Sequence, residues 1–181
     1  MKKNILFCFF FLFSLLVSAQ SWKELNNQVL ELFKKKEYLK ALPIAEKSVE
    51  TAKRDSGENH ACYATTLNNL AGVYRNLGQY EKAETKYLQA VSIRKKALGE
   101  NDPNYVSSLN SLAGVYLSMG QYEKAEPYFI QVKEIRKKNL GEKDPDYANT
   151  LNNLAGIYKS MGQYEKAEPL FVQALEIRKK S

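Results

Sequence analysis

The chain has 181 residues, 44% hydrophobic and 26% charged, with 27 Lys and Arg against 20 Asp and Glu, a formal net charge of +7. That composition is globular rather than disordered and suits one ordinary domain or one short repeat array. The basic excess is too dispersed for a nucleic-acid-binding face, and a single His with two Cys argues against both a metal centre and a His-dependent hydrolase.

The chain opens like an export signal. Lys2 and Lys3 precede an apolar run from Ile5 to Val17, and Val17-Ser18-Ala19 supplies small residues at a cleavage position. The run is shorter than the roughly 17–25 residues a membrane-crossing helix needs. Processing after Ala19 is expected, with Gln20 as the new N-terminus and the periplasm or the extracellular space as the destination. Cys62 is then the only cysteine left, so stability must come from packing rather than disulfides.

A 42-residue period fills the remainder. Residues 63–104 and 105–146 are identical at 25 of 42 positions without a gap, and a third copy runs over 147–181. The same frame slid back over 21–62 matches 11 of 42 positions, including Leu25-Asn26-Asn27 and Tyr38. The expected organisation is four stacked units after the signal, the first divergent.

Within 63–104, Leu67, Leu70, Ala71 and Tyr74 fall on one helical face, and Gly78 breaks the run. Ala83, Tyr87, Ala90 and Val91 then mark a second helix, whose alanines permit close approach and whose tyrosine fills the space between neighbours. That helix stops at Leu98-Gly99, and Asp102-Pro103 opens the next as an N-cap followed by proline, as does Asp144-Pro145. Glu81 and Glu84 lie early in the second helix and Arg94, Lys95 and Lys96 late. The later copies repeat this with Glu123, Glu126 and Arg136-Lys137-Lys138, then Glu165, Glu168 and Arg178-Lys179-Lys180. The charges read as complements of the helix dipole. Pro127 and Pro169 are expected near the first turn of a second helix.

The residues Leu67, Leu70-Ala71, Tyr74, Gly78, Tyr80, Ala83, Tyr87 and Ala90 resemble the tetratricopeptide pattern. The run from Leu67 to Lys95 resembles the 42-residue repeats of kinesin light chains and their bacterial relatives. Lys36 in place of Gly78, Ala45 in place of Tyr87 and Val132 in place of Ala90 depart from it. The resemblance implies an all-α, right-handed solenoid of four helix-turn-helix units, about eight helices, acting as a non-catalytic scaffold for a protein or peptide partner. Two alternatives stay open: a sensor or adaptor module of a larger protease-type or signalling system, and a structural oligomeriser.

In such an array the first helix of each unit lines the concave surface. Asn26, Asn68, Asn110 and Asn152 recur there, and Asn27, Asn69 and Asn153 follow them, with Ser111 the exception. Asparagine is a poor helix former. The copies read either as an amide ladder gripping a peptide backbone or as bonds that fix the stacking. Gly72, Gly114 and Gly156 suggest close backbone approach, since glycine inside a helix costs about 0.5–1 kcal/mol relative to alanine. One turn on, Arg75, Leu117 and Lys159 vary as selector positions, and the two cations suit carboxylates or an acidic segment.

Rival chemistry is weak. His60-Ala61-Cys62 lies in an inter-unit turn without the geometry of a catalytic pair, no phosphate loop is present, and no cofactor is expected. The last helix keeps the internal pattern through Ala167, Phe171, Ala174 and Leu175 without polar replacement. An edge around Phe171 and Leu175 is therefore expected to self-associate or to bind another protein.

Overall fold

Residues 20–180 are described by a computed structural model. The expected export signal falls on residues 1–19, outside the described residues. Among the described residues eight helices follow one another: α1 (Trp22–Lys34), α2 (Tyr38–Ser56), α3 (Ala61–Asn76), α4 (Tyr80–Leu98), α5 (Pro103–Ser118), α6 (Tyr122–Leu140), α7 (Pro145–Ser160) and α8 (Tyr164–Lys180). They pair as α1/α2, α3/α4, α5/α6 and α7/α8, and each second helix packs on the first helix of the next pair. First helices also touch one another, α1 with α3 and α3 with α5. That closer spacing puts the first helices on the inner side of the array.

Local chemistry sets the boundaries. Asp102 accepts from the backbone N–H of Asn104 at 2.7 Å, and Asp144 does the same for Asp146 at 2.7 Å. Each cap satisfies a donor that the first helical turn leaves unpaired. His60 stands in the equivalent place and caps α3 through Nδ1, which accepts from the N–H of Cys62 at 3.1 Å. Between the helices of a unit the chain turns through Gly78, Gly120 and Gly162, each with positive φ. The N–H of Gln79 reaches back to the carbonyl of Tyr74 at 2.9 Å and that of Gly78 to Arg75 at 3.1 Å. This is the paired-bond helix ending that needs a left-handed residue. Lys36 adopts the same conformation at φ 59° in the first unit, with the N–H of Glu37 bonded to the carbonyl of Leu32 at 2.9 Å. The turn survives there without glycine.

Pro127 and Pro169 do not sit in the first turn. Each is the sixth residue of its helix, as is Pro43 in α2. Proline this far in removes one ladder bond, but all three are exposed, so water can hydrate the carbonyl one turn back.

The core is a spine between the two helix rows. Ala41, Ala83, Ala125 and Ala167 let the helices of a unit approach, Tyr87 and Phe129 fill the spaces between units, and Leu70, Leu112 and Leu154 back them. The units are also stapled by polar contacts. Tyr74, Tyr116 and Tyr158 donate their hydroxyls to Glu46, Glu84 and Glu126 of the preceding second helix at 2.9, 2.8 and 2.9 Å. Lys82, Lys124 and Lys166 lie over the faces of the same rings, 5.2–5.7 Å from the centroids. Glu84 and Glu126 are thus acceptors at unit junctions rather than dipole charges of the first turn.

The basic triplets divide in the same way. Arg94 is buried, with 4% of its surface exposed. Its Nη1 donates to the carbonyl of Asn104 at 2.8 Å and to Ser108 Oγ at 2.6 Å, and its Nη2 to Thr65 Oγ1 at 3.2 Å. Arg136 repeats two of these bonds, to the carbonyl of Asp146 and to Thr150 Oγ1. The arginine of each internal triplet pins the next unit. The first lysine of the triplet keeps to the surface, Lys95 pairing with Glu100 at 2.6 Å and Lys137 with Glu142 at 2.5 Å.

Candidate functional site

The inner row of first helices carries most of the residues singled out in the sequence. Asn68, Asn69, Gly72 and Arg75 of α3 line a cavity of about 200 Å³ together with Val29, Leu30 and Phe33 of α1, Tyr87 of α4 and Ser111 of α5. One wall is therefore apolar and the opposite one polar. Burial pushes the Tyr87 phenol up, against the opposing effects of the nearby Arg75 and the Ser111 side chain.

Arg75 is half-buried in this cavity. It forms no salt bridge or side-chain hydrogen bond among the described residues, and its Nη1 lies 3.3 Å from where a Cβ on Gly114 would stand. The guanidinium thus spans the junction between α3 and α5 with its donors unclaimed by a carboxylate. Lys159, at the equivalent position on α7, is exposed.

The asparagines do not form one uniform ladder. Asn69 donates to Asn26 across the first junction, and Asn68 accepts from Ser108, itself held by Arg94. Those three amides work between units. The Oδ1 of Asn110 is buried without a hydrogen-bond partner among the described residues. Asn152 and Asn153 are half-buried and make no side-chain hydrogen bond among the described residues.

The glycines differ likewise. A Cβ on Gly72 would meet Phe33 at 3.4 Å and the Tyr87 hydroxyl at 3.5 Å, whereas one on Gly156 would meet nothing within 4 Å. Close packing by a neighbour accounts for Gly72 and in part for Gly114, but not for Gly156. Val29, Leu30, Phe33, Tyr87 and Ser111 line the cavity but were not among the site residues expected from the sequence. Tyr87 reads from its spacing as a packing aromatic, and only its hydroxyl, absent from Phe129, marks it as different.

At the far edge, Phe171 is half-buried and packs against the core, while Leu175 and its neighbour Val172 are 53% and 50% exposed. Among the described residues, no helix is long and apolar enough to cross a membrane.

With paired helices, glycine turns and a first-helix row in place, the comparison with known families is direct. The tetratricopeptide repeat pattern matches residues 25–96, 63–129 and 104–180. The chain belongs to the tetratricopeptide repeat family. Its units are of the kinesin-light-chain-like type, and the repeat fold is one of protein–protein interaction scaffolds, generally non-catalytic. Among solved structures, this tetratricopeptide chain is similar to BtubC (BKLC) from P. vanneervenii, with 26% identity and a TM-score of 0.80 over 91% of this chain and 67% of that one. A putative kinesin light chain from Podosopora anserina, with nearly identical repeats, shares 24% identity and a TM-score of 0.79 over 88% and 75% of the two chains. MamA shares the fold at 17% identity and a TM-score of 0.67, over 88% of this chain and 79% of that one. No curated protein matches this chain.

Proposed function

We propose that this tetratricopeptide array is a non-catalytic scaffold whose inner row holds an extended peptide or protein segment, with an acidic side chain of that segment against Arg75. The observation that carries the reading is the Arg75 guanidinium, half-buried in a cavity and unpaired with any carboxylate among the described residues. A cation desolvated in this way is stabilised by an anionic partner, and a planar fork of donors suits a carboxylate. In the same cavity Asn68 keeps its Nδ2 and Asn69 its Oδ1 outside the bonds between units, and with Ser111 these can meet a peptide backbone. Asn110, Asn152 and Asn153 continue the row, with Gly156 giving access and Lys159 a second cation.

A linear-peptide display library selected on the wild-type protein tests the reading. Enriched peptides should carry Asp or Glu, and Arg75→Glu should weaken their binding by at least about tenfold. Peptides without acidic residues, or peptides that bind Arg75→Glu equally well, would refute the assignment.

Export completes the proposal. Lys2-Lys3, the apolar run and Val17-Ser18-Ala19 support removal of residues 1–19 and work in the periplasm or outside the cell. The intact mass of protein from its native host should correspond to a chain starting at Gln20. A soluble cytoplasmic species retaining Met1 to Ala19 would rule this out.

A further inference from the structure

The outward side of the second helices carries a pattern that the inner row does not use. On α4, Glu81, Leu88 and Lys96 share the face opposite the buried Ala83, Tyr87, Ala90 and Arg94. The same places hold Glu123, Ile130 and Lys138 on α6, then Glu165, Val172 and Lys180 on α8, and all of them are exposed. Three rows thus cross the array: carboxylates at one edge, aliphatic side chains in the middle, ammonium groups at the other edge. The helix dipole accounts for the signs of the two charged rows. It does not account for the apolar row between them, which the exposed Pro127 and Pro169 widen. Leu88 and Ile130 are 40% and 37% exposed although a unit flanks them on either side, so this is a face of the array and not an end of it.

The charges of the two outer rows are unspent. Lys95 and Lys137, one residue earlier, pair with Glu100 and Glu142, but no member of either row forms an ion pair or a side-chain hydrogen bond among the described residues. Within one helix the rows cannot meet, because Glu81 and Lys96 stand about 22 Å apart along the axis. Two such faces laid together with their helices antiparallel bring each carboxylate row onto the other copy's ammonium row, and the apolar rows meet between them. Parallel helices would set like charges together. The pattern is therefore complementary to itself through a two-fold rotation. The first unit does not carry it. On α2, Leu39 stands in the carboxylate row, Glu46 stands in the apolar row and accepts from Tyr74, and Arg54 is paired with Asp55.

We propose that the outward face of α4, α6 and α8 binds a second copy of this chain, helices antiparallel, across a two-fold axis beside Ile130. Glu123 of each copy meets Lys138 of the other, Glu81 meets Lys180, and Glu165 meets Lys96. Leu88, Ile130 and Val172 are covered along the seam. Ion pairs at such an exposed rim contribute little each and are screened by salt, so the dimer is weak and salt-sensitive. It leaves the inner row open on the opposite side and does not depend on the peptide reading.

Analytical ultracentrifugation over a wide concentration range tests this. The wild type should rise toward about twice the monomer mass and no further, as a closed two-fold contact does, and added salt should reduce the rise. A variant with Lys96→Glu, Lys138→Glu and Lys180→Glu should stay monomeric, as should one with Glu81→Lys, Glu123→Lys and Glu165→Lys. Mixed in equal amounts, the two should form a dimer again. A wild type that stays monomeric throughout, or that grows past the dimer, overturns the proposal. So does an association that survives both charge variants and disappears on Leu175→Glu, because the far edge would then be the contact. Should the charge variants fail to fold, Ile130→Cys in a Cys62→Ser background places a thiol beside the axis. Mild oxidation should link it into covalent dimers, whereas Leu39→Cys in the same background should not link. Equal linking of the two, or none at Ile130→Cys, also overturns the proposal.

Discussion

The Nδ2 of Asn69 donates to the Oδ1 of Asn26 at 2.6 Å, and Asn26 is 8% exposed. The bond crosses from the second unit to the first on the inner row, so at this junction the amides hold the array together. Asn69→Ala leaves a nearly buried acceptor unmatched and should cost about 1–3 kcal/mol. Asn152→Ala breaks no side-chain bond among the described residues and should change stability by less than about 0.5 kcal/mol. Thermal melts of the two variants, read alongside peptide capture, separate stacking amides from ligand-facing ones. Asn152→Ala should weaken capture alone.

Gly156 offers a sharper contrast. With nothing within 4 Å of its missing Cβ, Gly156→Ala removes a flexible residue from a helix and should stabilise the fold by about 0.5–1 kcal/mol. Denaturant titration should show that gain, and capture of the selected peptides should fall. A gain in stability with unaltered capture would mean that no ligand approaches this helix closely.

Two further changes should stabilise the first half of the array. Lys36 holds a left-handed conformation at φ 59°, which costs an L-residue about 1–2 kcal/mol. Lys36→Gly removes that strain, partly offset by the greater freedom of glycine in the unfolded chain. His60→Asp puts an anionic cap where Asp102 and Asp144 stand in later units, a gain of about 0.5–1 kcal/mol. Each should raise the melting temperature by roughly 1–3 °C.

Alkali should open the unit junctions. Burial, then the hydrogen bond to Glu46, raises Tyr74 to about 12, and Tyr158 rises to about 12 through burial and Glu126. Tyr116 is raised in the same direction, first by burial and then by Glu84. A phenol whose folded pKa exceeds its unfolded value near 10 favours folding fully below pH 10, and that contribution disappears as the pH climbs through the folded value. Stability should therefore drop between about pH 10 and 12. Tyr74→Phe should flatten its share of the drop in pH-dependent denaturation, at some cost in stability at neutral pH from the lost bond.

The helix pairs, glycine turns and aspartate caps were legible in the sequence because each rests on a few neighbouring residues with a fixed spacing. The inward course of Arg94 was harder to read. It stands among consecutive basic residues, yet it follows Ala83 by eleven positions, about three full turns, and so shares the buried face while Lys95 is rotated away from it. Tyr87 was likewise read as filler. The clue was a paired change between copies: Tyr87 faces Ser111, and the Phe129 and Asn153 of the next copy lack that hydroxyl contact. Which asparagines bond to one another depends on how the units stack, and a single-chain pattern holds no register for that.

The three inner glycines also set a calibre. Phe33 and Tyr87 crowd Gly72, the end of Arg75 covers Gly114, and Gly156 lies open. Room beside the helix backbone is therefore least at Gly72 and greatest at Gly156. If the proposed peptide lies along this row, its backbone can come closest to the helix axis at α7, so reversing the sequence of a selected peptide should weaken its binding.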